Sequence, residues 1–162
     1  METKIKILSL LLAVSLACAA QHGGSAPGGY KAPALNAKYI TALGLTNHKF
    51  TQKADGIWIT DNGVMIYSSH PYGDNVKGFN GATPLFIAVG KNGKIQAVAP
   101  AANAETPDFW KRVTDSKLFK AWKGLTLPQA AKKKVDAVSG ATYSSKAVIK
   151  TVQETAKGVA KN

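Results

Sequence analysis

Hydrophobic positions recur with two different periods along this chain, and the change of period divides it. An alternating stretch comes first. Phe50, Ile57 and Ile59, then Val64 and Ile66, predict two strands joined at Asp61-Asn62-Gly63, a strong signal for a hairpin. The unbroken apolar run PLFIAVG (84–90) predicts a buried strand. KNGK (91–94) supplies a second hairpin turn, and KIQAVAP (94–100) its return strand, with Ile95, Ala97 and Ala99 on one face. Between the two hairpins, SSHPYGDNVKGFNGATP (68–84) reads as loop, because prolines and glycines interrupt any pattern.

Beyond residue 100 the period becomes helical. Thr106-Pro107 predicts an N-cap followed by proline at the first helical position. Phe109, Trp110, Val113 and Leu118 follow as an apolar stripe. A last helix is predicted over 144–157, with Ala147, Val148, Thr151, Val152 and Ala156 inward. A short helix over 36–43, ending at Gly44, precedes the strands. Antiparallel strands followed by helices predict an α+β fold, a sheet of hairpins packed against C-terminal helices.

The N-terminal segment METKIKILSLLLAVSLACAA has a different use. Lys4 and Lys6 precede an apolar run over 7–17, and small residues follow, the parts of an export signal. The run is shorter than the ~20 residues a bilayer-spanning helix requires. This predicts a signal over 1–19, a tether rich in Gly, Pro, Ser and Ala over 20–35, and a folded domain over 36–162. Cys18 stands at the end of the signal. Lipidation of Cys18 and cleavage after Ala19 or Ala20 remain competing readings, since Ser15 stands where a lipobox carries a large apolar residue. Export places the domain in the periplasm or on the outer face of the cell membrane, with no span left after signal removal.

Cys18 is the only cysteine, so the domain has no disulfide, thiolate metal site or Cys-ligated iron–sulfur cluster. Redox chemistry would need a bound cofactor. The three histidines, His22, His48 and His70, are far apart in sequence and suggest no metal site. The net charge is +12, and +11 once Lys4, Lys6 and Glu2 are removed with the signal. The lysines are dispersed apart from Lys132–Lys134, and no helix-turn-helix, finger or RNA-binding motif is present. The charge therefore points to an acidic redox partner or a membrane surface rather than to nucleic acid. No nucleophile-elbow pattern supports hydrolysis.

One stretch carries more than its structural reading. VDAVSGATYSS (135–145) can be a capped helix start, with Gly140 turning the chain and Thr142, Ser144 and Ser145 as caps. The same geometry suits a phosphate, because a helix N-terminus offers free N–H groups and the positive end of its dipole. Asp136, two variable residues, Ser139, Gly140, Ala141 and Thr142 together resemble the flavinylation motif of the FMN-binding domain family. That domain occurs in the G subunit of Rnf complexes and in the C subunit of the sodium-translocating NADH:quinone reductase.

The resemblance implies FMN esterified to Thr142 through its phosphate, installed from FAD by a flavin transferase that reads Asp136. Ser139, Ser144 and Ser145 would support the loop. GFNGATPLFIAVGKNGKI (78–95) is similar to the family's central hairpin. Gly78 and Gly81 there are either turn glycines or points where the backbone approaches the flavin. AETP (104–107) is similar to the family's Glu-Thr-Pro-Gly loop, which implies that Glu105 and Thr106 orient the ring; Asp108 stands where the family has Gly. The implied function is exported electron transfer by covalent FMN, with a redox protein as partner. A reductase subunit with its own small-molecule acceptor, and a flavin-free binding module, are the alternatives.

Overall fold

The computed structural model describes residues 31–162. The segment read as an export signal, Cys18 and most of the segment read as a tether lie outside the described residues. Helix α1 (Ala37–Ala42) comes first, its Asn36 side chain accepting from the Tyr39 N–H. Five strands follow, β1 (Phe50–Ala54), β2 (Ile57–Thr60), β3 (Met65–Ser68), β4 (Leu85–Val89) and β5 (Ile95–Pro100). Each pairs antiparallel with the next, in one sheet of order β1-β2-β3-β4-β5. Helix α2 (Pro107–Asp115), a 3-10 turn (Leu118–Lys120), α3 (Leu127–Lys132) and α4 (Thr142–Val159) complete the chain. The α+β class read from the periodicity is the one observed.

Alternation along the strands sorts side chains into two cores. Leu85, Ile87 and Val89 of β4 face the C-terminal helices, packing with Val113, Trp122, Val148 and Val152. Phe86 and Ala88 face the other way, onto Tyr39, Leu43, Leu45, Trp58 and Ile66. All five β4 residues are buried, as an apolar run predicts for a strand covered on both sides. The N-terminal cover was not anticipated. Helix α1 closes the second face, where Tyr39 meets Phe86 at 5.1 Å between ring centroids.

Two local expectations are corrected, and one unpredicted element is added. The first alternating stretch is two strands rather than one, because Asp55-Gly56 turns the chain between β1 and β2; the Asp61–Gly63 turn then joins β2 to β3. On β5, Val89 pairs with Ile95 and Ala88 with Ala97, which leaves Gln96 as an extra residue. This bulge reverses the facing of the strand. Ile95 and Val98 join the helix-side core, while Ala97 and Ala99 turn to the α1 side. Finally, α3 was not predicted, although Thr126 and Gln129 form a reciprocal capping box with Pro128 in the first turn.

Candidate functional site

The site is assembled from three segments distant in sequence. The first is the turn over 78–81, closed by the Gly78 N–H to the Gly81 carbonyl at 2.6 Å and flanked by a Lys77–Ala82 bridge. The second is the loop after β5, which carries Glu105. The third is the start of α4, which carries the motif.

Glu105 joins all three. Its carboxylate accepts from the N–H groups of Asn80 (2.8 Å) and Phe79 (3.2 Å), and from the Ser144 hydroxyl. Burial by itself pushes this carboxyl up. The Ser144 hydroxyl and the N–H groups of Asn80, Phe79 and Gly81 outweigh that and hold it below the ordinary glutamate range. Glycine at 78 is what lets the turn come so close, since a Cβ there would stand 2.6 Å from Glu105 Oε1. Gly78→Ala is therefore expected to cost about 1–3 kcal/mol, the range for forcing an extra carbon into a packed site. Thermal denaturation measures it, and an unchanged Tm would contradict this account of the turn.

Thr106 lies beside Glu105 as the N-cap residue of α2. Its side chain does not cap the helix; its Oγ1 accepts from Asn80 Nδ2 at 3.1 Å. The Thr-Pro helix start predicted from sequence is present, and the threonine hydroxyl is spent on the 78–81 turn. Glu105 and Thr106 thus hold that turn in place from behind.

The motif segment differs from its sequence reading in where the helix begins. Helix α4 starts at Thr142, with Ala141 at the N-cap and no side-chain cap bond. None of the three predicted hydroxyls caps it, because each has another position. Ser144 is buried and donates to Glu105. Ser145 is buried, donates to the Ala141 carbonyl at 2.8 Å and accepts from the Val138 N–H at 2.9 Å, which staples the loop to the helix. Thr142 is exposed, and its hydroxyl makes no hydrogen bond among the described residues. Asp136 and Ser139 are exposed ahead of it. Gly140 has φ +74°, a conformation that favours glycine.

A cleft of about 280 Å³ opens at this point, lined by Phe79, Phe109, Gly140, Ala141, Thr142, Tyr143 and Ser144. Its rim holds the three large hydrophobic side chains most exposed among the described residues: Phe79 (63%), Phe109 (44%) and Tyr143 (72%). Phe79 and Tyr143 stand 6.3 Å apart between ring centroids. Exposed aromatics gathered on one opening mark a ligand or partner surface. Sequence reasoning missed all three and placed Phe109 in the buried stripe. Trp110 and Val113 form the inward face of α2, which turns Phe109 toward the motif. A sequence signal existed for two of them, since Phe79 sits inside GFNGAT and Tyr143 directly follows Thr142. The tryptophans are elsewhere: Trp58 and Trp122 are core, and Trp110 packs edge-on to Phe119.

His48 and His70 pair with Asp61 and Asp74 respectively. Among the described residues no cluster of three or more His, Cys, Asp or Glu could hold a metal ion, and no helix is long and apolar enough to cross a membrane.

A free hydroxyl on the first residue of an uncapped helix, at the mouth of an aromatic-rimmed cleft, fits a planar ring system carried on a phosphate. Fold and site thus suit a flavin. Residues 78–157 match the model of the FMN-binding domain, and over that stretch the chain belongs to the FMN-binding domain family. The matched span contains the turn, Glu105, Thr106 and the whole motif. No curated protein matches the chain closely enough to add to this.

Proposed function

We propose that this protein is an exported electron-transfer flavoprotein whose FMN is bonded through its phosphate to Thr142. The observation that carries the reading is the state of the motif hydroxyls. Ser144 and Ser145 are buried and bonded, whereas Thr142 is exposed, unbonded and at the cleft. A flavin transferase supplies the FMN from FAD. The Thr142 oxygen attacks the FMN-side phosphorus, an Oγ–P bond forms, and the pyrophosphate P–O bond breaks. AMP leaves with that electron pair, and the hydroxyl proton passes to a base of the transferase. Asp136 and Ser139, exposed before the helix, are the residues the transferase can read.

The resulting diester carries one negative charge at the positive end of α4. Phe79, Phe109 and Tyr143 offer apolar faces to the isoalloxazine. Once attached, FMN supplies the electron-transfer chemistry, and the chain supplies position and field. Covalent attachment suits a protein exported by its N-terminal signal, because a dissociating flavin would be lost. The surplus of basic charge suits an acidic redox partner or a membrane surface.

The decisive experiment is coexpression with a flavin transferase, followed by denaturation. Yellow fluorescence that stays with the polypeptide, on the peptide containing residues 135–145, is the expected result. A colourless chain would overturn the reading in favour of a flavin-free module. Steady-state turnover of small acceptors by the isolated flavinylated protein would instead make it a reductase subunit.

Asp108 gives this reading a further consequence. It is exposed in the first turn of α2, next to Phe109 on the cleft rim. A negative charge there disfavours a reduced, anionic ring. Asp108→Gly is expected to raise the reduction potential by about 10–40 mV for a one-electron step, the equivalent of one exposed charge interaction of about 0.2–1 kcal/mol. Potentiometric titration of both proteins reads this, and equal potentials would sink it.

A further inference from the structure

The chain has a single arginine, Arg112, among its 21 basic residues. It lies on α2, three residues after Phe109, and its Nη1 is 3.2 Å from where a Cβ on residue 140 would stand. The guanidinium is thus against the backbone of the motif loop, two residues from Thr142. It is exposed, and it makes no hydrogen bond or ion pair among the described residues. That state is notable because an acid is within reach. Asp108 is four residues earlier on the same helix face, the spacing at which ion pairs form. The neighbouring Lys111 takes the equivalent opportunity with Asp115, while Arg112 points to the loop instead.

Two further features focus on the same place. Helix α4 starts without a side-chain cap, so the first N–H groups of its 18 residues are available. Glycine at 140 leaves the loop without a side chain that would separate the guanidinium from the helix start. A planar guanidinium can give two parallel donors to a phosphate, which a lysine ammonium cannot match.

We infer that Arg112 is the cationic ligand of the phosphate at Thr142, closing on the diester from α2 while the start of α4 holds it from below. This rests on the flavinylation reading above. It adds a residue outside the motif and assigns it a role that charge alone would leave to any of the 20 lysines.

The test compares wild type, Thr142→Ala, Arg112→Lys and Arg112→Gln, each produced with and without a flavin transferase. Without flavin, Arg112→Gln is expected to melt with wild type, because the guanidinium has no partner to lose among the described residues. With flavin, its gain in Tm on flavinylation should shrink and the ³¹P resonance of the diester should move. Its initial labelling rate should fall about tenfold, the scale of one charge-assisted hydrogen bond. Arg112→Lys should recover part of each effect, since it keeps the charge and loses the paired donors. Wild-type ³¹P shift, Tm gain and labelling rate in Arg112→Gln would overturn the role of Arg112 and leave flavinylation standing. A wild type that takes up no flavin, or a Thr142→Ala protein that does, would overturn both. Should Arg112→Gln prove unstable without flavin, Arg112→Lys decides: a ³¹P resonance identical to wild type would then reject the paired-donor contact.

Discussion

Thr142→Ala produces a folded protein that carries no covalent FMN. Both halves of this expectation follow from the position of the side chain. Thr142 is the first residue of α4, exposed, with a hydroxyl that holds nothing together among the described residues. Alanine is the better helix former, so stability should change by less than about 0.5 kcal/mol. The chemistry, by contrast, is left with no free serine or threonine hydroxyl on the cleft. Ser144 is turned inward onto Glu105, and Ser145 is bonded on both sides. Ser139 is exposed but does not line the cleft.

The controls sharpen the result. Thr142→Ser should keep the label, since it keeps the hydroxyl. Ser139→Ala and Ser145→Ala should keep it too, with slower uptake where the loop is loosened. Intact-mass measurement of the denatured chains, alongside their melting curves, reads both properties at once. A labelled Thr142→Ala chain would move the attachment to another hydroxyl.

Glu105→Ala should have the largest effect on stability of any substitution around the site. Its carboxylate is the shared acceptor for two backbone N–H groups of the 78–81 turn and for the hydroxyl of Ser144. Removing it strands the buried Ser144 hydroxyl and two part-buried N–H groups, at a cost of about 3 kcal/mol. For a domain of this size that lowers Tm by about 10 °C. Flavin uptake should fall as well, because the turn carries Phe79 on the rim of the cleft. Thr142 itself would be untouched, so flavinylation should slow rather than vanish.

Glu105→Gln separates shape from charge. The folded carboxyl is held below its ordinary value, so its contribution is fully present above the unfolded glutamate value of about 4.3 and is lost as pH falls through the folded value. Wild type should therefore lose stability in that acidic window more steeply than Glu105→Gln. Asp61 and Glu154 are lowered too, by His48 and Lys150 respectively, so the difference between the two proteins is the quantity to measure. Parallel acid titration curves would show that the carboxylate charge contributes nothing there.

Much of this architecture was legible from local patterns. The apolar run of β4, the Asn-Gly turns, the Thr-Pro start of α2 and the motif with Thr142 are all written in neighbouring residues. Local geometry explains this, because strand alternation, turn conformations and helical periods are properties of short segments. The misread positions are of another kind. Gln96 bulges because β5 must keep register with β4 while its end pairs with the segment around Leu125. No alternation rule sees that partner. Phe109 turns outward because Trp110 and Val113 already fill the helix-side core.

The sequence by itself determined the α+β class, most of the elements in their order and the motif with its run of hydroxyls. Only the tertiary structure decided which hydroxyl is free, since that depends on what faces each one after folding. Glu105 reaches Ser144 from a different loop, Phe79 and Tyr143 meet from opposite ends of the matched domain, and Arg112 arrives from α2. These partners are brought together by burial of the two cores on either side of one sheet. Pairings set by packing leave no period in the chain to read.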